Sequence, residues 1–136
     1  MSSYEKNSPL GSLPLEDLEI YQLSMDIGDE VWNCVMKWDN FARFTVGRQW
    51  VDAVDSIAAN ISEGHGRFHF KDRRNFCYFA RGSLKETKTW TQKAARRGLI
   101  SEELAQKLTS DLNRLSVKLN NYIKSIGKGT RDKQEG

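Results

Sequence analysis

Cysteine, histidine and proline are scarce in this sequence, with two of each among 136 residues. Cys34 and Cys77 lack metal-ligand spacing, and in a reducing compartment they favour two free thiols over a disulfide. Two histidines leave few candidates for general acid–base catalysis. The sequence also lacks a Gly-rich phosphate loop and any recognisable Ser/His/Asp or Cys/His pairing. These absences predict a protein without enzymatic activity, cofactor or metal.

Long apolar runs are also missing. No run approaches the roughly 20 residues that cross a bilayer, and residues 1–15 lack the apolar segment of a secretory signal. We therefore predict a cytoplasmic protein that does not interact with membranes. Apolar residues make up 38% of the chain and charged residues 29%, as in a folded globular protein of one domain.

Four segments have helical periodicity, at residues 15–38, 48–63, 70–97 and 101–126, and none has strand alternation. The predicted apolar face of the first helix comprises Leu18, Tyr21, Met25, Gly28, Trp32 and Val35. That of the second comprises Val51, Val54, Ala58 and Ile61. That of the third comprises Phe76, Phe79, Ser83, Thr87, Trp90 and Ala94. That of the fourth comprises Leu104, Leu108, Leu112, Leu115, Leu119, Tyr122 and Ile126.

Helix ends and connections complete the predicted fold. Ser101 is the expected N-cap of the fourth helix, and glycines are expected to end the helices, at Gly64 and Gly66, at Gly98 and at Gly127. Residues 39–47 have no sustained period and are predicted to be a packed connection. Four helices with one apolar face each bury those faces against one another. We predict an all-α, up-down-up-down antiparallel four-helix bundle over residues 15–127, with a disordered leader at 1–14 and a disordered tail at 128–136.

Charge is concentrated in the third helix. Residues 71–97 hold nine basic and two acidic residues, a local charge of +7, so the remainder carries 3 − 7 = −4. On a wheel of about 100° per residue, one tyrosine and six cations form a basic stripe away from the predicted apolar side. The basic stripe comprises Lys71, Arg74, Tyr78, Arg81, Lys85, Lys88 and Arg96.

Aligned cations of this kind neutralise phosphates without reading sequence, and their binding weakens steeply with salt. We add Arg67 to the predicted nucleic-acid-binding residues, and expect Tyr78, His65 and His69 to stack on unpaired bases. The alternative is a solvated face that keeps a small bundle soluble.

Two stretches, QWVDAVDSIAANISEGHGR at 49–67 and FCYFARGSLKE at 76–86, resemble the four-helix-bundle family of intervening-sequence proteins, which are encoded within inserts in bacterial large-subunit ribosomal RNA genes and elsewhere in bacterial genomes. The resemblance covers about residues 18–126. Its pattern corresponds here to Gln49, Ser56, Ile57, Asn60, Ile61, Glu63, Gly64, Gly66, Arg67, Gly82, Ser83 and Glu86. The chain departs from the family at His69 and Phe70, where a serine cap often begins the third helix.

The resemblance implies a bacterial four-helix bundle that assembles as a homopentamer and has no catalytic residues. A more distant resemblance is to the accessory protein of diversity-generating retroelements, a positively charged pentamer that binds nucleic acid and works with a reverse transcriptase. It implies RNA or DNA, and a protein such as a reverse transcriptase, as partners.

Several residues of the pattern have a predicted interface or structural role: Ser56, Asn60, Glu63, Gly64, Gly66, Gly82 and Glu86. Ser56, Asn60 and Glu63 form a polar row, interpreted either as a subunit contact or as a solvated row in which Glu63 pairs with Arg67. Gly82 in mid-helix predicts a closely packed neighbour.

Glu86 is expected at the margin of the apolar side, with a donor such as Arg48 or Asn60; the alternative is a plain surface residue. Glu63 and Glu86 lack the Glu-x-x-His pairs of di-iron bundles. His65 and His69 make a poor metal site because Gly66 separates them at a helix break.

Among the aromatic residues, Trp32, Trp50 and Trp90 are predicted to be core, and Trp38, Phe41 and Phe44 are expected to pack against a neighbouring subunit. The sequence thus predicts a non-catalytic homo-oligomer that binds RNA or DNA with little sequence preference through its third helix. The alternatives are a scaffold that binds a partner protein and no nucleic acid, and a metal-dependent enzyme, which would require bound metal.

Overall fold

A computed structural model describes residues 13–128, and these form four long helices and no strand. The helices are α1 at Glu19–Val35, α2 at Arg48–His65, α3 at Phe70–Arg96 and α4 at Glu102–Ser125. A 3-10 turn at Leu15–Asp17 precedes α1. The all-α four-helix prediction is confirmed. The predicted leader and tail lie almost wholly outside the described residues.

Consecutive helices are antiparallel neighbours. His65, at the end of α2, lies 2.6 Å from the Leu13 carbonyl oxygen, just before α1. Trp50, at the start of α2, donates to Thr91 near the end of α3. α4 closes the bundle between α3 and α1, so α1 and α3 lie diagonally opposite each other. No helix in the described part of the chain is long and apolar enough to span a membrane.

The α4 ladder forms one wall of the core, as predicted. Leu108, Leu112, Leu115 and Leu119 are buried, and the N-cap Ser101 accepts a 3.0 Å hydrogen bond from the Leu104 N–H group. The other three helices meet this wall with residues including Ile27, Val31, Trp50, Val54, Ile57, Ile61, Ala80 and Leu84.

The predicted apolar face of α1 is rotated from the observed one. Met25 and Trp32 are 44% and 52% exposed, and the buried residues include Ile20, Ser24, Ile27, Gly28 and Val31. Apolar residues occupy both faces in the sequence, and the face that lies between α2 and α4 is the one that becomes buried. Ser24 is accommodated because its hydroxyl donates to the Ile20 carbonyl one turn back.

Four of the six predicted apolar positions of α3 are shifted by one residue, whereas Thr87 and Ala94 are buried as predicted. The buried residues are Cys77, Ala80, Leu84, Thr87, Thr91 and Ala94. Phe79 is exposed and Trp90 is half-buried. Small side chains bring α3 close to α2, where a Cβ on Gly64 would lie 2.9 Å from the Phe76 Cβ. The prediction failed because it gave aromatic size more weight than this close approach.

The connection at 39–47 is helical, which the sequence prediction missed. Asp39 accepts a 3.0 Å hydrogen bond from the Ala42 N–H group, and a short helix at Asn40–Ala42 runs through a π-helical turn at Arg43–Gly47 into α2. Trp38 does not need a second subunit to pack against, because its ring stacks on Trp50 with centroids 5.7 Å apart.

The glycine predictions had mixed outcomes. Gly98 and Gly127 adopt the left-handed conformation, with φ of 72° and 87°, and end α3 and α4. Gly66 caps α2 with φ of −79°, so the left-handed conformation is not used there. The prediction for Gly82 was wrong: a Cβ there would meet nothing within 4 Å.

Candidate nucleic-acid interface

The basic stripe follows the edge of α3 that borders α4. The Arg81 Nη1 atom donates to the Asn120 Oδ1 atom at 3.0 Å, and the Arg74 Nη1 atom donates to the Ile126 carbonyl at 3.3 Å. Lys71, Lys85 and Arg96 are exposed. The stripe is therefore a continuous surface, and two of its arginines also join α3 to α4.

Most cations of the stripe lack acidic partners. Within the described residues, no carboxylate oxygen lies within 4.0 Å of the charged nitrogens of Lys71, Arg81, Lys85, Lys88 or Arg96. Elsewhere the bundle does pair its cations: Lys107 lies 2.8 Å from Glu30, and Lys118 lies 3.1 Å from Glu19. These five positive charges of α3 therefore have no acidic partner within the described residues.

The charges of the helices separate across the bundle. α3 contains eight basic and two acidic residues, whereas α1 contains four acidic residues and no lysine or arginine. The acidic α1 lies diagonally opposite α3. Of the two helices packed against α3, α2 has three acidic residues and one arginine, and α4 has four basic and three acidic residues.

A concavity of about 430 Å³ lies within the stripe. It is lined by Tyr78 and Arg81 of α3 and by Asn120, Ile123 and Lys124 of α4. The Arg81 guanidinium lies over the Tyr78 ring, 4.9 Å from its centroid, and the Tyr78 side chain is 42% exposed. Sequence periodicity placed Tyr78 in the stripe but gave no sign of the contribution from α4.

The predicted residues near the α2–α3 connection do not join this surface as expected. The Arg67 Nη2 atom pairs with the Glu63 Oε2 atom at 2.8 Å, and the Arg67 guanidinium also covers the Phe76 ring. The imidazole of His65 is engaged by the Leu13 carbonyl. His69 is exposed and packs edge-on against Phe68.

The polar row on α2 makes local contacts. The Ser56 hydroxyl donates to the Asp52 carbonyl at 2.8 Å, and the Asn60 amide donates to the Ser56 carbonyl at 2.9 Å. Together with the Glu63–Arg67 pair, these bonds satisfy the row within one monomer. Whether the row also contacts a second subunit stays a prediction.

The expected burial of Glu86 is wrong. Its side chain is exposed and accepts a 3.4 Å hydrogen bond from the Trp90 indole N–H group, four residues along the same helix. Glu86 is therefore the surface residue of the alternative interpretation, and neither Arg48 nor Asn60 reaches it.

An acidic groove between α1 and α2 was not predicted. Asp55 packs against α1 at Gly28, where an added Cβ would lie 3.0 Å from the Asp55 Oδ1 atom. Burial, followed by the charges of Asp29 and Asp52, raises the pKa of Asp55. Gly28 was the one available signal, since a glycine in mid-helix marks close approach. No three His, Cys, Asp or Glu side chains among residues 13–128 are placed to hold a metal ion.

Both cysteines are free thiols, as predicted. Burial raises the pKa of Cys77 to about 11. Burial is also the largest cause of the raised pKa of Tyr122, which is about 12. Burial likewise raises the pKa of Cys34. Since the thiolate is the reactive form, the raised pKa values mean that neither cysteine is activated as a nucleophile.

A second surface is apolar and lies at the far end of α1 and α2. Trp32, Met36 and Phe44 are each about half exposed or more, and they line a concavity of about 330 Å³ together with Arg43 and Arg48. Phe41 is 81% exposed. The core prediction for Trp32 was therefore wrong, because that face of α1 points away from its neighbours.

A family model described as 23S rRNA-intervening sequence protein matches residues 16–121, most of the chain. The chain belongs to this family. The resemblance drawn from 49–67 and 76–86 is thereby confirmed, and the matched range covers α1, α2, α3 and most of α4 of this intervening sequence protein.

One solved structure is similar in fold to this family member. It is a protein of unknown function from the S23 ribosomal protein family of Bacteroides thetaiotaomicron, 23% identical, with a TM-score of 0.72. The match covers 77% of this chain and 95% of the other. No curated protein matches, and neither finding bears on the link to retroelement accessory proteins.

Proposed function

We propose that this protein is a non-catalytic, homo-oligomeric bundle that binds RNA or DNA with little sequence preference through the basic stripe of α3. The observation that carries the proposal is the row of cations without acidic partners among the described residues. At about 1.5 Å per residue, Lys71 and Arg96 are about 37 Å apart along the helix, close to the length of one turn of B-form DNA, about 34 Å.

The electrostatics support a sequence-tolerant mode. Lysine and arginine side chains on one helix edge contact phosphates, which carry no sequence information. Each neutralised phosphate releases condensed counterions, so affinity falls with salt in proportion to the number of contacts.

The proposal also includes the compartment, the partner and the assembly of the protein. It acts in the cytoplasm as an accessory factor, with a protein such as a reverse transcriptase as a partner, and a pentamer is the favoured assembly. Repeating the stripe in each copy would multiply the local field that attracts a polyanion.

The test is a fluorescence-anisotropy titration of labelled RNA and DNA at two salt concentrations, about 50 and 200 mM. The variant combines Lys71→Gln, Lys85→Gln and Lys88→Gln. The ammonium groups of these lysines have no hydrogen-bond partner in the described part of the chain, whereas Arg74 and Arg81 also hold α3 to α4. We expect weaker binding to every sequence and a salt slope reduced by about one per lost phosphate contact, with little change in melting temperature.

A matched control removes the same charge elsewhere. Lys37→Gln, Lys107→Gln and Arg114→Gln replace exposed cations away from the stripe, and both triple variants lower the net charge from +3 to 0. The control should bind like the wild type. Equal losses in the two variants would mean that only net charge matters and would remove the assignment to α3.

The second candidate is a scaffold that binds a partner protein and no nucleic acid. It is favoured by the exposed surface of Trp32, Met36 and Phe44, since contiguous apolar surface on a folded protein marks interaction sites. Wild-type protein that binds neither RNA nor DNA at the lower salt concentration would leave this candidate in place of the first.

A further inference from the structure

The concavity between α3 and α4 has the composition of a base-binding site. An aromatic face, a guanidinium, an amide and an ammonium group converge on a volume of about 430 Å³. The concavity is shallow and open to solvent, which suits one base of a longer strand and not an enclosed small molecule. Plain phosphate binding needs only the ammonium and guanidinium groups, so the aromatic ring and the amide require another explanation.

The Tyr78 and Arg81 side chains are held in place by contacts within the protein. Arg81 stacks over the Tyr78 ring at 4.9 Å, and its guanidinium also donates to the Asn120 Oδ1 atom at 3.0 Å. The guanidinium covers one face of the ring, so a base can stack on the opposite face of the ring or on the outer face of the guanidinium. Aromatic and guanidinium planes are the groups on which unpaired bases stack.

The remaining groups complete the arrangement. Since the Asn120 oxygen accepts from Arg81, its amide NH₂ group is left to donate to a base edge. Ile123 supplies an apolar wall, and the exposed Lys124 adds a positive charge from α4 for a neighbouring phosphate.

From this geometry we infer that the groove at Tyr78, Arg81, Asn120 and Lys124 takes an unpaired base, so that the protein prefers single-stranded RNA or DNA to duplex. The inference rests on the proposed function and specifies its substrate class. In a duplex each base is stacked between its neighbours, and its faces are unavailable to Tyr78. In a single strand one base enters the groove while flanking phosphates follow the stripe.

The test compares three labelled probes of one sequence, about 12 nucleotides long. They are the single strand, the same strand in a duplex, and the same strand with bases removed to leave abasic sites. We expect the wild type to bind the intact single strand most tightly. Tyr78→Ala should weaken that binding about 10-fold, as for the loss of one aromatic stacking contact, with little effect on duplex or abasic probes.

Two controls accompany the variant. Phe79→Ala removes a neighbouring exposed aromatic residue on the other flank of α3 and should leave all three affinities unchanged. Tyr78→Phe keeps a ring and should retain the preference for single strands.

The outcomes separate the two hypotheses. Equal binding of intact and abasic strands, or equal losses by Tyr78→Ala on single strand and duplex, would overturn the base-binding groove and leave phosphate binding by the stripe intact. Absence of binding to all three probes would overturn the proposed function, and the groove with it.

Discussion

At the scale of single residues, a chain of hydrogen bonds between buried polar groups crosses the core of this bundle. Trp50 is fully buried, and its indole N–H group donates to the Thr91 Oγ1 atom at 3.0 Å. The Thr91 hydroxyl in turn donates to the Thr87 carbonyl at 2.8 Å. This chain of bonds joins α2 to α3 where small residues bring the two helices together.

Thr91→Val should destabilise the protein by about 1–3 kcal/mol, because it leaves the buried Trp50 N–H group without an acceptor. Chemical denaturation measures the free energy of unfolding. Thr89→Val, at an exposed position two residues away, should change it by no more than about 0.5 kcal/mol.

A double-mutant cycle isolates the hydrogen bond. In a Trp50→Phe background no indole donor remains, so Thr91→Val should cost clearly less than in the wild type. The same cost in both backgrounds would show that the loss comes from packing and that the bond contributes nothing.

At the scale of helices, α4 is the most regular element and the one that the sequence predicted best. Its leucines recur at threes and fours, and Leu112, Leu115 and Leu119 are fully buried. Apart from the exposed Val117, the residues between these three are polar, so only one face was available to the core.

Leu112→Ala should lower the free energy of unfolding by about 2–5 kcal/mol, since a large buried side chain leaves a cavity. Val117→Ala on the exposed side of the same helix should change it by about 0.5 kcal/mol or less. Urea denaturation of both variants provides the comparison, and similar values would contradict the register of α4.

Helices with apolar residues on more than one face were predicted less well from the sequence. In α3 the aromatic residues Phe76, Phe79 and Trp90 predicted one face, whereas the core contains Cys77, Ala80 and Thr91. Helical periodicity ranks faces by hydrophobicity, whereas close packing of two helices selects small residues. Only the arrangement of α2 against α3 decides between them.

The candidate site was also only partly predictable from the sequence. The stripe from Lys71 to Arg96 follows from the 3.6-residue period of one helix. The groove does not, because Asn120 and Lys124 lie some 40 residues away in the sequence and meet Tyr78 only when α3 and α4 pack antiparallel. Gly82 misled because a mid-helix glycine has no unique structural cause.

At the scale of the whole molecule, two unlike surfaces occupy different sides. The basic stripe and its groove lie along α3 and α4, whereas the apolar patch of Trp32, Met36 and Phe44 lies at the α1–α2 side. An assembly that buries the apolar patch leaves the stripe open to solvent. Oligomerisation and nucleic-acid binding are therefore compatible within one arrangement.

The proposed homo-oligomer can be tested by measuring the mass of the assembly. Native mass spectrometry or light scattering should give a multiple of the 15.6 kDa chain mass, with five copies favoured. Combining Trp32→Ser with Phe44→Ser removes apolar area from an exposed surface, so it should reduce the mass to one chain without loss of helical circular dichroism. Val117→Ser, an exposed apolar residue on α4 outside the patch, should leave the assembly intact. A double variant that keeps the wild-type mass would exclude the patch as the subunit contact, and a monomeric wild type would exclude the assembly itself.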